Sequence, residues 1–306
     1  MNILIIGGSG FLGLHLLKDL QESIPSANIY ISSSRKELAS DTVLFVDYDI
    51  TESVESLFIL TKPDCILHLA SCCVRDSSDS SLNKGRLRDD NILKALSGLK
   101  LYPNFIFIAS MAVFSMGDKQ ITPMRYHPTS NYGFEKLHLI NKLADLSVGS
   151  TKVRFKIVYP SSIYGKGQAG KMFLPRLLQH IEQSRVMVAF GANKKRDFVH
   201  VKDVSRILVK LVSEFDTIHE SHIFVHSFIL RKLSEIANLV CGIRQSDPKN
   251  IIVFDDSSKD LQRDTLEFQV VSEEDSSRHK FPALITLSVG LQEMFEECDV
   301  TKIVEQ

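Results

Sequence analysis

The chain has 306 residues, 44% of them hydrophobic and 24% charged, and its formal net charge is -1. This near-neutral balance argues against a nucleic-acid partner, which would select a basic surface, and no apolar run is long enough to span a membrane. The five cysteines are odd in number and lack the spacing of metal ligands, as expected of reduced thiols. The N-terminus shows no secretory leader, so the composition predicts a cytoplasmic α/β protein.

The N-terminal segment predicts a site for a phosphate group. An apolar run, residues 1–6, ends in a glycine-rich turn, Gly7–Gly13, and helical spacing begins within that turn. A strand followed by such a turn and helix directs free backbone N–H groups and the helix dipole at one position, which suits a pyrophosphate. We expect Gly7 to allow the tight turn, Gly10 to let the phosphate approach, and Gly13 to let the helix pack on the strand. A glycine-rich turn with a purely structural role is the alternative.

Strands and helices alternate along the first half of the chain. Short runs rich in β-branched and aromatic residues predict strands at residues 1–6, 28–32, 43–46, 65–70 and 104–109. Helical segments separate these strands. The pattern is typical of a Rossmann-type doubly wound parallel sheet, and we therefore expect the α/β fold class.

The second half of the chain is less regular. Residues 1–160 are expected to form a dinucleotide-binding Rossmann domain, completed by parts of 195–226. Residues 161–306 are expected to form mainly a smaller substrate-binding lobe, interleaved with the sheet, although the helix at 204–212 returns to the larger domain. A serine-rich stretch at 71–88 follows the fourth strand and is either a solvated connection or a flap over the site.

One helix and one strand end carry the candidate catalytic groups. Tyr132 and Lys136 are four residues apart and lie on one face of a predicted helix. An ammonium group beside a phenol favours the phenolate, and such a phenol can pass a proton to or from a sugar or alcohol oxygen. Ser110 directly follows the fifth strand, where its hydroxyl can hold the substrate oxygen. Chance spacing of the tyrosine and lysine, and a turn-forming or capping serine, are the alternatives.

Taken together, these residues resemble the extended short-chain dehydrogenase/reductases, and among them the NAD(P)-dependent nucleotide-sugar epimerase/dehydratase family. The resemblance runs along most of the chain, because the landmarks occur in the family's order. They are Gly7 to Gly13, Asp49-Ile50, His68-Leu69-Ala70, Asn91, Ser110 with Val113, Tyr132 with Lys136, Tyr164 to Gln168, and Arg196 to Val204.

The resemblance implies a role for each of these positions. Tyr132 becomes the general acid/base, Lys136 its electrostatic partner and a ligand of the nicotinamide ribose, and Ser110 the third catalytic group. Asp49 and Ile50 would contact the adenine. With Tyr132 and Lys136, the implied cofactor contacts are Gly7, Ser9, Gly10, Phe11, Leu12, Gly13, Asp49, Ile50, Leu69, Ala70, Ser71, Asn91, Pro160 and Ser162.

The resemblance also implies a nucleotide-diphosphate sugar as substrate and a homodimer formed through two helices of each subunit, one of them bearing the Tyr–Lys pair. Arg196 is the first candidate for the diphosphate, because a guanidinium binds phosphate oxygens in a bidentate way; a buried Arg–Asp pair is the alternative. Arg263 is a weaker local match to a second diphosphate arginine. The other expected substrate contacts are Arg75, Ser110, Met111, Ser161 and Lys171.

The end of the second strand bears on the choice of cofactor. An NAD site usually places an acidic residue there to bind the ribose hydroxyls. This strand instead ends in Ser32, Ser33, Ser34, Arg35 and Lys36. Hydroxyls followed by two cations suit a 2′-phosphate, so we expect NADP in preference to NAD. A solvated turn with incidental basic residues is the alternative.

The residues after Ser110 narrow the expected reaction. The family's dehydratases carry an acidic pair there, and its enzymes that epimerise beside a ketone need a further acid/base, whereas this chain has Met111 and Ala112. What remains is hydride transfer at one carbon, by an NADPH-dependent 4-ketoreductase or a 4-epimerase with retained NAD. The basic cluster and the sequence Phe114-Ser115, which departs from the epimerase Tyr-Gly, favour the reductase. A non-catalytic NADP(H)-binding sensor or scaffold, and a reductase of non-nucleotide ketones, are the remaining alternatives.

Overall fold

The computed structural model describes residues 1–32, 43–46, 54–70, 79–99, 102–114, 126–128, 130–148, 153–168, 172–255 and 279–295. Its strands are β1 (Asn2–Ile6), β2 (Asn28–Ser32), β3 (Val43–Val46), β4 (Cys65–His68), β5 (Asn104–Ile108), β6 (Phe155–Pro160), β7 (Ser162–Tyr164), β8 (Met187–Ala189), β9 (Lys195–Arg196), β10 (Phe198–His200), β11 (His222–His226), β12 (Arg231–Lys232), β13 (Ile252–Phe254) and β14 (His279–Pro282). Its helices are α1 (Phe11–Ser23), α2 (Val54–Thr61), α3 (Asp79–Ser97), α4 (Asn131–Val148), α5 (Phe173–Glu182), α6 (Val201–Ser213), α7 (Leu233–Ile243), α8 (Pro248–Ile251) and α9 (Leu287–Phe295), with a 3-10 turn at Met111–Val113.

Eight strands of the described residues form the central sheet, in the order β14-β11-β6-β5-β4-β1-β2-β3. Every neighbouring pair is parallel. The chain builds outward from β1 in one direction through β2 and β3, and then in the other through β4, β5 and β6. The predicted doubly wound α/β sheet is confirmed. In such a sheet the ligand crevice lies at the carboxyl ends of the strands where the direction reverses, here between β1 and β4.

Helices cover both faces of the sheet, which explains why β1 is an unbroken apolar run. Its residues Leu4 and Ile6 pack in one core cluster with buried residues of α2, α3 and α4. Ile3 and Ile5 point to the other face and pack with residues of α1 and α6. All four side chains are fully buried.

The C-terminal part contributes to two cores. Helices α5, α7, α8 and α9 share a separate apolar cluster with the small parallel pair β8 and β13. Helix α6, expected at 204–212, runs over Val201–Ser213 and packs on the main sheet, and β11 and β14 extend that sheet. The sequence pattern did not predict β6, β11 or β14. None of the helices in the described ranges combines the length and apolar character needed to cross a membrane.

Candidate active site

The glycine turn after β1 is shaped by close contact with the end of β4. Gly7 has φ +88°, and a Cβ placed on it would lie 2.7 Å from the Ala70 Cβ. A Cβ on Gly13 would lie 2.5 Å from the Gly8 carbonyl oxygen, so any side chain there would push α1 off the turn. Both glycines are therefore required sterically.

The start of α1 is suited to an anion. Gly10 is the N-cap residue and supplies no side chain to cap the helix, and the first turn contains no acidic residue. The N–H groups of a first helical turn have no partner within the helix, and the helix dipole adds positive potential at the same place. The turn therefore fits the pyrophosphate of a dinucleotide.

Lys136 links helix α4 to the carboxyl end of β5. Its side chain is 3% exposed, and its Nζ atom donates a hydrogen bond of 2.7 Å to the Ile108 carbonyl oxygen. The same atom lies 4.8 Å from the ring centroid of Phe107 and 5.8 Å from that of Tyr132. The predicted Tyr–Lys pair thus occupies one face of α4, with the ammonium group beside the tyrosine ring.

Ser110 begins the short turn that α4 packs against. Its Oγ atom accepts a 3.1 Å hydrogen bond from the Ala112 backbone N–H, so it caps the turn Met111–Val113. A hydroxyl also carries a hydrogen that can be donated, so capping leaves the proposed donor function open. Gly133 contacts the same turn, because a Cβ on it would lie 2.3 Å from the Ala112 carbonyl oxygen. Tyr132 and Ser110 therefore flank one short segment.

The two residues after Ser110 are buried. Met111 is 2% exposed and Ala112 is 1% exposed, and both pack in the core cluster below the sheet edge. Neither side chain can exchange a proton. The expected substrate contact of Met111 would therefore have to come from its backbone.

A second cluster surrounds Asp197, which is fully buried. Its carboxylate accepts hydrogen bonds from the Ser161 hydroxyl at 2.7 Å and from the Ser227 N–H and hydroxyl. His226 Nδ1 lies 3.3 Å from the carboxylate and 2.7 Å from the Ser161 Oγ atom. Burial alone would raise the pKa of Asp197, but the bonds from His226, Ser227 and Ser161 together lower it below its ordinary value.

This cluster joins the carboxyl ends of β6 and β11 in the central sheet to the segment between β9 and β10. Ser161 follows β6, and its hydroxyl, expected to face the substrate, is engaged by Asp197 and His226. The Ser162 N–H donates to the Asp197 carbonyl oxygen at 3.0 Å. Arg196, which is 7% exposed, is therefore held beside the Pro160–Ser162 corner. Neither His226 nor Ser227 was predicted from the sequence, where each is marked only by its position at the end of an apolar run.

Arg88 is another residue near the glycine turn that no sequence motif indicates. It is partly buried on α3, and its guanidinium donates a 2.6 Å hydrogen bond to the Ala70 carbonyl oxygen, next to Gly7. The adjacent Asp89 forms a buried pair with His68, whose Nε2 atom lies 2.7 Å from the carboxylate. Helix α3 is thus anchored to the end of β4, with a cation beside the glycine turn.

The remaining expected contacts divide into two groups. Ser32 is buried at the end of β2, where its carbonyl oxygen accepts the Gly7 N–H at 3.2 Å. The Leu69 N–H donates to the Ile6 carbonyl oxygen at 2.9 Å, which holds the end of β4 beside β1. Asn91 is partly buried on α3. The expected contacts that lie outside the described residues are Ser33, Ser34, Arg35, Lys36, Asp49, Ile50, Ser71, Arg75, Lys171 and Arg263.

Comparison with known proteins places this site in a family. The model of the NAD dependent epimerase/dehydratase family matches residues 3–225. The chain belongs to the NAD dependent epimerase/dehydratase family. The match begins in β1 and ends in β11, so it includes the glycine turn, Ser110, the Tyr–Lys pair and Arg196. The resemblance drawn from the sequence is confirmed.

Individual relatives of this epimerase/dehydratase chain are distant. GDP-6-deoxy-D-talose 4-dehydrogenase of Aggregatibacter actinomycetemcomitans is 24% identical over 257 residues, which cover 79% of this chain and 80% of that protein. Human short-chain dehydrogenase/reductase family 42E member 1 is 25% identical over 244 residues, covering 72% of this chain and 60% of that longer protein. UDP-glucuronic acid 4-epimerase from Bacillus cereus, solved with UDP-glucuronic acid and NAD, superposes with a TM-score of 0.82 at 20% identity over 96% of this chain and 98% of its own. That likeness supports the fold.

Proposed function

We propose that this family member is an NAD(P)-dependent oxidoreductase that acts on a nucleotide-diphosphate sugar. The observation that carries the proposal is the convergence of Tyr132, Lys136 and Ser110 at the carboxyl end of β5. Because β4 lies between β1 and β5, that position is two strands from the glycine turn and at the same edge of the sheet. Carbonyl reduction requires a hydride from a dinucleotide and a proton from an acid at the same carbonyl group, so the glycine turn and the proton donor must lie at one edge of the sheet.

Each of these residues would have a separate role in the reaction. The dinucleotide, when bound by the glycine turn, supplies or accepts a hydride through its nicotinamide. Tyr132 would donate a proton to the developing alkoxide as general acid, and the Lys136 ammonium would stabilise the phenolate left behind. The Ser110 hydroxyl would hold the same substrate oxygen by hydrogen bonding. Arg196, beside Pro160–Ser162, would bind the substrate diphosphate.

Within this class, we propose an NADPH-dependent 4-ketoreductase. Two features of the chain support it: the Ser-Arg-Lys ending of the second strand suits a 2′-phosphate, and Met111 and Ala112 carry no further acid or base. The relative named as a GDP-6-deoxy-D-talose 4-dehydrogenase supports chemistry at one carbon, C4. The chain has both Tyr132 and Lys136, and the lysine is buried beside the tyrosine ring. This favours a catalytic enzyme over a sensor or scaffold without catalysis.

A 4-epimerase with retained NAD is the second candidate, because Tyr132, Lys136 and Ser110 serve oxidation and reduction at C4 equally well. The Bacillus cereus neighbour, an epimerase solved with NAD, shares the fold. The tightly held cofactor of an epimerase would copurify, whereas a reductase would release NADP after each turnover.

One experiment separates the two candidates. The purified chain is analysed for bound dinucleotide by mass spectrometry after acid release, and then assayed with 4-keto nucleotide sugars and NADPH at 340 nm. Stoichiometric NADPH oxidation by a chain purified without NAD is expected of the ketoreductase. Bound NAD, with conversion of a UDP-hexose into its C4 epimer and no net change at 340 nm, would establish the epimerase instead. If the chain shows neither activity with any nucleotide sugar, that absence would contradict the proposal.

We further propose a homodimer formed through α3 and α4. The two helices are joined by the Arg86–Glu135 ion pair, in which the guanidinium binds both carboxylate oxygens, at 2.7 and 3.1 Å. Leu87 and Phe134 lie beside this pair and are 50% and 52% exposed. Exposed apolar side chains on two helices held together in this way favour an interface in which they are buried against a second copy of the chain.

A further inference from the structure

Four non-glycine residues among those described adopt the left-handed backbone conformation, namely Lys62, Ser184, Phe228 and Gln245. Three of them have an ordinary explanation. Lys62 directly follows α2, and Ser184 and Gln245 each lie two residues beyond the ends of α5 and α7. A left-handed residue at such a position is a common way to end a helix and to bond its last carbonyl groups.

Phe228 has no helix end to explain it. It follows strand β11 and has φ +61°. For a bulky aromatic residue this conformation is a true outlier, because its Cβ crowds the backbone. Backbone strain of this kind persists only where the surrounding structure enforces it, and it is concentrated at functional sites.

The structure enforces the position of Phe228 from both sides. On one side, Ser227 donates its N–H and its hydroxyl to the Asp197 carboxylate. On the other side, Arg231 pairs with Arg196 in the β9–β12 ladder. Residues 228–230 lie between these two anchors, which contact the consecutive residues Arg196 and Asp197. Phe228 lies beside the segment that we propose for the substrate diphosphate.

The ring of Phe228 is only partly buried. Its centroid lies 5.8 Å from that of His226, with 34° between the planes, and His226 stacks in turn on Phe224 at 5.8 Å. Phe224 and His226 are fully buried, whereas part of the Phe228 surface is accessible. The aromatic row on β11 thus reaches the carboxyl edge of the sheet, where ligands of such sheets bind.

We propose that Phe228 is a substrate contact, which offers an apolar ring surface to the nucleotide sugar beside Arg196. The inference rests on the proposed function, since it needs a nucleotide-diphosphate sugar at this edge. A ring next to the diphosphate site meets either the nucleobase, by stacking, or the apolar face of the hexose. Both contacts use the same flat hydrocarbon surface.

The test compares three variants of Phe228 and one control variant by thermal melting and by calorimetric titration. Phe228→Gly and Phe228→Ala both remove the ring, but only glycine relieves the left-handed strain. We therefore expect the glycine variant to melt about 2–4 °C above the alanine variant, while both bind nucleotide sugar roughly tenfold more weakly than wild type. Phe228→Tyr keeps the ring and should bind as wild type. Ser184→Gly, at a left-handed position after α5, should raise the melting temperature without changing affinity.

The titration uses UDP-glucose, GDP-mannose and dTDP-glucose, together with UDP, GDP and dTDP. Equal losses for the diphosphate and its sugar derivative support a nucleobase contact, and a loss confined to the sugar derivative supports a hexose contact. If wild type binds a nucleotide sugar and the glycine and alanine variants bind it equally well, the substrate contact is wrong. If wild type binds none of the six probes, the proposed function itself fails.

Discussion

Gly133 and Ala112 are in such close contact that a Cβ on the glycine would lie 2.3 Å from the alanine carbonyl oxygen. Gly133 adjoins the proposed general acid, Tyr132, and Ala112 is held by the Ser110 hydroxyl. The contact therefore sets the position of one proposed catalytic group relative to the other. A displacement of α4 would separate them without removing either.

Gly133→Ala tests this relationship. The added methyl must push α4 away from the turn, so we expect turnover to fall about 100-fold, as for a misplacement of about 1 Å, and the free energy of unfolding to fall by about 1–3 kcal/mol. Steady-state kinetics and chemical denaturation measure the two effects. Gly242→Ala is the matched control, because nothing lies within 4 Å of a Cβ there; it should stabilise α7 by about 0.5–1 kcal/mol. Full turnover in Gly133→Ala would show that the contact does not position Tyr132.

Tyr132→Phe removes the phenolic hydroxyl and little else. Because the proposed general acid is lost, kcat should fall by about 10²–10⁴-fold. The dissociation constant of the dinucleotide, measured by titration of the apoprotein, should change little, since the glycine turn and Lys136 remain. A variant that turns over at the wild-type rate would exclude Tyr132 as the proton donor.

Arg35→Ala tests the preference for NADP, which rests on residues outside the described part of the structure. A guanidinium beside a 2′-phosphate should contribute roughly tenfold or more to NADP affinity. We expect the dissociation constant of NADP to rise by that factor and that of NAD to stay the same. Arg185→Ala removes an exposed cation elsewhere and should affect neither. Equal losses for both dinucleotides would count against a 2′-phosphate site at Arg35.

Asp197→Asn should alter the response of stability to acid. The pKa of Asp197 is lowered in the folded state, so its carboxylate contributes stability above the unfolded pKa of about 3.9, and this contribution is lost as pH falls through the folded pKa. At neutral pH the variant should lose about 1–3 kcal/mol through poorer hydrogen bonding. Its unfolding free energy should then fall less steeply than wild type between about pH 5 and pH 2.

The control for Asp197 is Asp216→Asn. Asp216 forms an exposed pair with Arg154, and such pairs contribute little to stability. Denaturation curves at each pH give the comparison. An Asp197→Asn variant with the same acid profile as wild type would mean that the network does not depend on a carboxylate.

Phe134→Glu should disrupt the proposed dimer. A charge on the exposed face of α4 would have to be buried in the interface, at a cost of several kcal/mol per ion. Light scattering coupled to size exclusion should give a dimeric mass for wild type and a monomeric mass for the variant. Ile59→Glu on α2, where the native side chain is 70% exposed, should leave the mass unchanged. A monomeric wild-type chain would overturn the proposal.

The sequence by itself determined the features that depend on neighbours along the chain. Strand and helix alternate because apolar periodicity is local, so the parallel sheet and its first five strands could be predicted. The spacing of Gly7 and Gly13, and that of Tyr132 and Lys136, likewise reflects one turn and one helix. The steric contacts of both glycines agree with the expected turn, and the Lys136 ammonium lies beside the Tyr132 ring as the spacing predicts.

Only the tertiary structure decided the features that join distant segments. Ser161, Asp197 and His226 form one hydrogen-bonded cluster although 65 residues separate the first from the last, and no local pattern specifies such a contact. The same holds for the reach of Arg88 to Ala70. Phe228 lies in a turn that the Ile229 N–H closes on the Ser227 Oγ atom, and Ser227 and Arg231 anchor this turn through their contacts with Asp197 and Arg196. Side-chain packing between remote segments, not propensity, places the residues that surround the proposed substrate.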